Sequence, residues 1–211
     1  MARDALYFLI PLLAAAAAAV WAGWTLAGLA LAPLAVFVAF FFRDPDRVVP
    51  TGPGVIVAPA DGRIVGVETE ADGSTTVSIF LSLFNVHVNR SPIEGQVQKV
   101  QYRKGAFHMA FTDVSSAENE RNTLTIANSD FGVTCAQIAG VLARRIVCWK
   151  GPGDTVGRGE RIGLIRFGSR VELRMPRGVS LKVGAGDRVR GGASTIGVME
   201  TRRRGEDERG R

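Results

Sequence analysis

Residues 5–42 contain no charged side chain, and that feature limits what this chain can become more than any other. As one straight helix those 38 residues would reach about 57 Å at ~1.5 Å per residue, nearly twice the roughly 30 Å of a bilayer core. So long an apolar run argues against a fully soluble protein. It also argues against a cleaved secretory signal, whose apolar region is about 7–15 residues and ends at a small-residue cleavage site. Ala22-Gly23-Trp24-Thr25 interrupts the run near its middle, Trp21 and Trp24 suit a membrane interface, and Arg3 at one end answers Arg43 and Arg47 at the other. The pattern predicts a membrane-anchoring helical hairpin over residues 1–47, both ends on the cytoplasmic side of the cell membrane, following the positive-inside tendency. One long tilted helix, or a hairpin dipping into one leaflet, are the alternatives.

The anchor closes in Arg43-Asp44-Pro45-Asp46-Arg47 and then Pro50-Thr51-Gly52-Pro53-Gly54, a density of proline and glycine that ends a helix and marks a linker. Over residues 48–200, short runs rich in Val, Ile, Phe and Thr alternate with turn residues, which predicts one mainly β domain. The longest runs, 75–89 and 161–175, each read as continuous. A repeat strengthens the β reading: Gly151-Pro152-Gly153-Asp154-Thr155-Val156 returns 33 residues later as Gly184-Ala185-Gly186-Asp187-Arg188-Val189, followed in turn by Ile162-Gly163 and Ile196-Gly197. Such Gly-Asp turns leading into strands resemble the hairpins of biotinyl and lipoyl type β-sandwiches (barrel-sandwich hybrids), and Ala58-Pro59-Ala60-Asp61-Gly62 resembles an opening strand of that fold. Chance recurrence of Gly-Asp turns is the plainer alternative. Residues 201–211 lack any apolar side chain and are expected to form a disordered basic tail.

Because Arg3 and Asp4 cancel, the net charge of +6 falls on the part after the anchor, which suits an anionic membrane surface or an acidic ligand. No basic-and-aromatic motif points to nucleic acid. Cys135 and Cys148 lack metal-ligand spacing and read as reduced, buried residues, and no metal site is expected.

Few residues are left to carry chemistry. At period two, Asn85, His87 and Asn89 share one face of their run while Phe84, Val86 and Val88 share the other. His87 is thus either structural or a base at the end of a strand. His108 is flanked by apolar residues. Asp61 is either a turn former or the carboxylate that orients a histidine. In the run 161–175, Arg166, Arg170, Glu172 and Arg174 form the wet face, and Ser169 is the polar exception among Ile165, Phe167, Val171 and Leu173. A buried hydroxyl without a partner costs roughly 1–3 kcal/mol, so Ser169 is either bonded to local backbone or there for a reason.

Taken in order, Phe41-Phe42-Arg43-Asp44-Pro45, Ala58-Pro59-Ala60-Asp61-Gly62, Asn85-Val86-His87-Val88-Asn89-Arg90, Glu118-Asn119-Glu120-Arg121-Asn122 and Phe167-Gly168-Ser169 resemble the short form of the phosphatidylserine decarboxylases. The resemblance implies a proenzyme that cuts itself between Gly168 and Ser169 into a large and a small chain. It implies Ser169 as nucleophile and source of a covalent pyruvoyl cofactor, His87 as base and Asp61 as its carboxylate partner. The substrate it implies is phosphatidylserine in the membrane, converted to phosphatidylethanolamine. His108, Asn85 and Arg90 are candidates for substrate contact or proton transfer, and Arg43 and Arg47 join Arg90 as candidate phosphate contacts. The resemblance leaves room for a homo-oligomer. The Ser-Thr pair at Ser194 and the Gly73-Ser74 pair read as turns. A membrane-anchored adaptor or carrier of biotinyl/lipoyl type is the rival reading, but neither Lys150 nor Lys182 sits in the Met-Lys-Met-like context a carrier needs.

Overall fold

The computed structural model describes residues 3–105, 119–140, 145–165 and 169–200. The apolar run folds back on itself: after a 3-10 turn, α1 (Leu6–Trp21) is answered by α2 (Thr25–Ala30) and α3 (Ala32–Phe41). Gly23, at φ 83°, makes the reversal. Gly28 lets the helices touch, since a Cβ there would lie 2.5 Å from Val20 Cγ2. At the other end Phe8 stacks on Phe42 with centroids 5.5 Å apart, so start and finish of the hairpin meet. Among the described residues no helix is long and apolar enough to cross a membrane. The 16 residues of α1 extend about 24 Å.

The strands are β1 (Val55–Val57), β2 (Gly62–Thr69), β3 (Thr75–Leu81), β4 (Val88–Arg90), β5 (Gly95–Arg103), β6 (Arg121–Ala127), β7 (Gly132–Ile138), β8 (Ile146–Cys148), β9 (Thr155–Val156), β10 (Arg161–Ile165), β11 (Ser169–Met175), β12 (Val179–Leu181), β13 (Arg188–Val189) and β14 (Thr195–Met199). Among the described residues they form an eight-stranded sheet, β13-β2-β3-β11-β7-β6-β5-β9, and two three-stranded sheets, β1-β14-β12 and β4-β10-β8, antiparallel throughout.

The 33-residue repeat proves to be the surface trace of an internal two-fold relation. Ile56 pairs with Gly197 as Asn89 pairs with Gly163, and Val55 with Val198 as Val88 with Leu164. Matching irregularities fall between Ile64 and Gly66 and between Val97 and Lys99. In both Gly-Asp turns the aspartate accepts from the first glycine, Asp154 from Gly151 N–H and Asp187 from Gly184 N–H, each at 2.8 Å. Val171 faces Ile79 on β3 as Val133 faces Ile126 on β6, which makes Leu173 the counterpart of Cys135. Those two residues pair directly, so the axis passes between them at the centre of the large sheet.

Alternation builds the core between the sheets. Val77, Ile79 and Leu81 of β3, Leu124 and Ile126 of β6 and Val171, Leu173 and Met175 of β11 are all buried. A smaller apolar cluster joins the base of the hairpin, through Leu9, Phe41 and Phe42, to Val86, Val88 and Leu164.

Two sequence expectations are corrected. The runs 75–89 and 161–175 are not continuous strands: the first passes from the eight-stranded sheet to the sheet β4-β10-β8 after Leu81, and the second begins in that small sheet up to Ile165 and belongs to the eight-stranded sheet from Ser169. In the first run the apolar phase flips, from Val77, Ile79 and Leu81 in the main core to Val86 and Val88 in the cluster at the hairpin base. Arg170 is buried rather than wet, 3.8 Å from Glu172.

Candidate active site

The described ends of the two segments are neighbours. On the large sheet they are flanked by the pair Ser169 and Leu81, and on the small sheet by the pair Leu164 and Val88. The carbonyl of His87 also accepts from Ile165 N–H at 3.3 Å. Ser169 therefore stands at the end of one crossing and His87 at the end of the other.

The path of the first crossing is set by a local turn. Asn85 Oδ1 accepts from Ser82 N–H at 2.9 Å and from Ser82 Oγ–H at 2.7 Å, and the Asn85 carbonyl is 2.9 Å from His87 Nδ1. A carbonyl only accepts, so Nδ1 carries the proton and Nε2 of the neutral ring holds the free lone pair. Phe41 covers the imidazole at 4.1 Å between centroids. Burial, with the nearby Arg43 charge acting in the same sense, lowers the His87 pKa from 6.5 to about 4 despite the Asn85 hydrogen bond. His87 is thus an uncharged base at neutral pH. Its Nε2 and the Ser169 Oγ are both buried without a hydrogen-bond partner among the described residues. Buried polar atoms of this kind are rare in folded proteins, and local bonding holds neither one.

The chain matches the sequence profile of the phosphatidylserine decarboxylases over residues 34–197. It is 48% identical over 191 residues to a phosphatidylserine decarboxylase proenzyme of Solibacter usitatus (strain Ellin6076), covering 90% of this chain and 93% of that protein. Proenzymes of the same name from Burkholderia mallei (strain SAVP1) and Burkholderia ambifaria (strain MC40-6) are 49% and 47% identical, covering 77% and 79% of this chain and 78% and 81% of theirs. The chain belongs to the phosphatidylserine decarboxylase family.

Against the family expectation, Asp61 does not pair with His87. Its Oδ2 accepts from Arg47 at 2.8 Å and its Oδ1 from Gly191 N–H at 2.7 Å, while His87 Nδ1 is taken by a carbonyl two residues away. The Asn85 carbonyl thus satisfies His87 Nδ1, and Arg47 with the Gly191 N–H holds the Asp61 carboxylate.

Arg90 is likewise committed, to the Gly159 carbonyl at 3.0 Å, Asp44 at 2.9 Å and the Pro45 carbonyl at 3.0 Å, so it clamps the linker rather than offering a free phosphate contact. Arg43 donates to the Phe40 and Phe84 carbonyls and lies 3.8 Å over the Phe40 ring. Ser194 and Ser74 are turn residues: Ser194 Oγ accepts from Arg190 N–H, and Ser74 N–H donates to Asp72. Cys135 and Cys148 are free thiols. Burial pushes Cys135 up to about 12, while Cys148 is only half-buried and donates to the Lys150 carbonyl. His108, Gly168 and the tail lie outside the described residues.

An open groove of about 1020 Å³ adjoins the Asp61 side, lined by Arg63, Arg188 and Arg190 with Phe84 among its walls. Sequence reasoning missed this groove, the Phe41 lid and the buried Gln137. The signal for Gln137 was present, as a polar residue in phase with Val133 and Cys135, the same anomaly that singled out Ser169.

Proposed function

We propose that this chain is a self-cleaving phosphatidylserine decarboxylase whose catalytic group is made from Ser169. The observation that carries the reading is the pair of buried, unpartnered atoms, Ser169 Oγ and His87 Nε2, at the adjoining crossings. In the cleavage, His87 Nε2 takes the hydroxyl proton as Oγ attacks the Gly168 carbonyl. The proton passes to the departing nitrogen, and the amide becomes an ester. Elimination then frees Gly168 as a carboxylate, and water with loss of ammonia leaves a pyruvoyl group at position 169. That carbonyl supplies an electron sink for decarboxylation of an amine-bearing substrate. Asp61 acts on the site through Arg47, fixing the linker beside it.

The exposed apolar side chains of the hairpin, Trp21, Leu26, Tyr7, Trp24 and Val36 foremost, support insertion into the cell membrane. A reach of about 24 Å falls short of a ~30 Å core, which favours insertion from one face. The β domain then lies on the cytoplasmic side, with the groove of Arg63, Arg188 and Arg190 taking the lipid phosphate. We also read the paired Gly-Asp hairpins as a biotinyl/lipoyl-like, barrel-sandwich hybrid arrangement.

Mass spectrometry of the purified protein tests this. Two chains are expected, the smaller beginning at position 169 with a blocked, borohydride-reducible terminus, and Ser169→Ala should remain one chain without activity. An unmodified wild-type chain of 22.6 kDa refutes the proposal.

A further inference from the structure

The core-facing side of the eight-stranded sheet carries a chain of amides the reaction above leaves unused. Asn122 Nδ2 donates to Gln137 Oε1 at 3.0 Å, and Gln137 Nε2 donates to Asn89 Oδ1 at 2.8 Å. All three side chains are buried, and Asn89 Nδ2 has no acceptor among the described residues. Leaving such a donor unpaired costs a fold stability.

The internal two-fold supplies a control for whether the architecture needs these amides. Asn89 faces Gly163 as Ile56 faces Gly197, and the alignment of Val133 with Val171 sets Gln137 opposite Met175 in the other half. Ile56 and Met175 are both fully buried. The same backbone positions thus accept aliphatic side chains in one half and carry a linked amide pair in the other. Gly163 makes room for the pair: a Cβ there would collide with the Val147 carbonyl and sit 3.0 Å from Gln137 Nε2.

The amides stand on the Ser169 side of the molecule. Gln137 pairs with Val171 across the ladder, so the two share a face, and Ser169 lies two residues along β11 on that same face. Gln137 and Ser169 are diagonal neighbours, with Cα atoms about 7–8 Å apart. Asn89 reaches Gln137 from the small sheet, two residues beyond His87.

Resting on the self-cleavage reading, we infer that Asn89 Nδ2 donates to the anionic oxygen formed when Ser169 Oγ attacks the carbonyl before it. Gln137 and Asn122 are positioning residues that keep the donor end of Asn89 turned toward that oxygen. In the step, the Oγ–C bond forms, the carbonyl π electrons move to oxygen and His87 Nε2 holds the proton. When the C–N bond breaks, those electrons return and nitrogen takes the proton. A fixed buried donor aimed at such an oxygen is worth ~10²–10³-fold in rate.

The test is the first-order rate of precursor cleavage after cell-free synthesis, followed on gels, with thermal unfolding of each variant in the Ser169→Ala background as the check on folding. Asn89→Asp keeps the acceptor for Gln137 and, once its carboxyl is ionised, has no donor left, so at the alkaline end of the pH range cleavage should slow ~10²–10³-fold with the fold intact. Gln137→Glu can donate to Asn89 only while its carboxyl is protonated. Its rate relative to wild type should therefore fall between about pH 6 and about pH 9, a dependence that a merely structural Gln137 would not show. Wild-type cleavage rates at alkaline pH in a folded Asn89→Asp, or a ratio for Gln137→Glu that ignores pH, overturn the amide relay alone. A wild-type precursor that stays whole overturns the self-cleavage reading beneath it.

Discussion

His87 should make the uncut proenzyme less stable as the solution is acidified, by an amount its surroundings set. Its native pKa is about 4 against an ordinary 6.5, because burial under Phe41 and the nearby Arg43 charge disfavour the imidazolium. An unfolded chain binds a proton as pH falls below 6.5, whereas the native chain waits until about 4. The unfolded state holds the extra proton in that window, so stability is intact above it and lost as pH falls through it. At ~1.4 kcal/mol per pH unit the gap comes to roughly 3 kcal/mol. The measurement is urea unfolding in a mild detergent from about pH 7.5 to about pH 4, comparing Ser169→Ala with Ser169→Ala/His87→Gln so that the carboxylates cancel. The single variant should lose roughly 3 kcal/mol more than the double, a midpoint shift of about 1–3 M at ordinary urea sensitivities. Parallel curves, or a histidine that stabilises the protein in acid, would show a solvated or ion-paired imidazole and refute its role as a buried neutral base.

Arg47→Ala should destabilise the same background by about 1–2 kcal/mol, read from urea midpoints, because it strips the partner from a largely covered Asp61 carboxylate. Asp61→Asn, which removes the charge in need of a partner, should cost less. Gly163→Ala should cost ~1–3 kcal/mol of overpacking and slow cleavage through Gln137. Gly153→Ala, at a turn with open space around it and φ 92°, should cost about 1 kcal/mol of backbone strain and leave the cleavage rate unchanged.

The sequence showed the β character and the anomaly at Ser169 because both rest on local alternation: Val171, Leu173 and Met175 stay in phase with Ser169 on the buried face of β11. It did not show that residues 161–175 serve two sheets, since the same alternation satisfies both. The repeat was legible only in its Gly-Asp turns, where backbone geometry restricts the residue choice. In the strands a two-fold of backbone tolerates Ile56 against Asn89, so symmetry of structure leaves little symmetry of sequence. The bond from Arg47 to Asp61 was not legible, because that partner is a linker arginine fourteen residues away. Distance along a chain says little about which of two cations or donors arrives first in space.

The place of β11 in the large sheet has a consequence for how the protein ages. The piece beginning at Ser169 supplies the strand between β3 and β7, the middle strand of the sheet β1-β14-β12, and the edge strand β13. Were the bond before it cut as proposed, no rigid-body motion would release that piece, for it is laced through two sheets. Denaturation, until then an intramolecular event, would become a dissociation whose reversal requires two chains to find each other. On that reading an uncut chain would unfold as one molecule, whereas the cut enzyme would depend on the slowness of its own opening. The proposed cleavage would thus trade a one-chain equilibrium for a molecule whose lifetime is a rate.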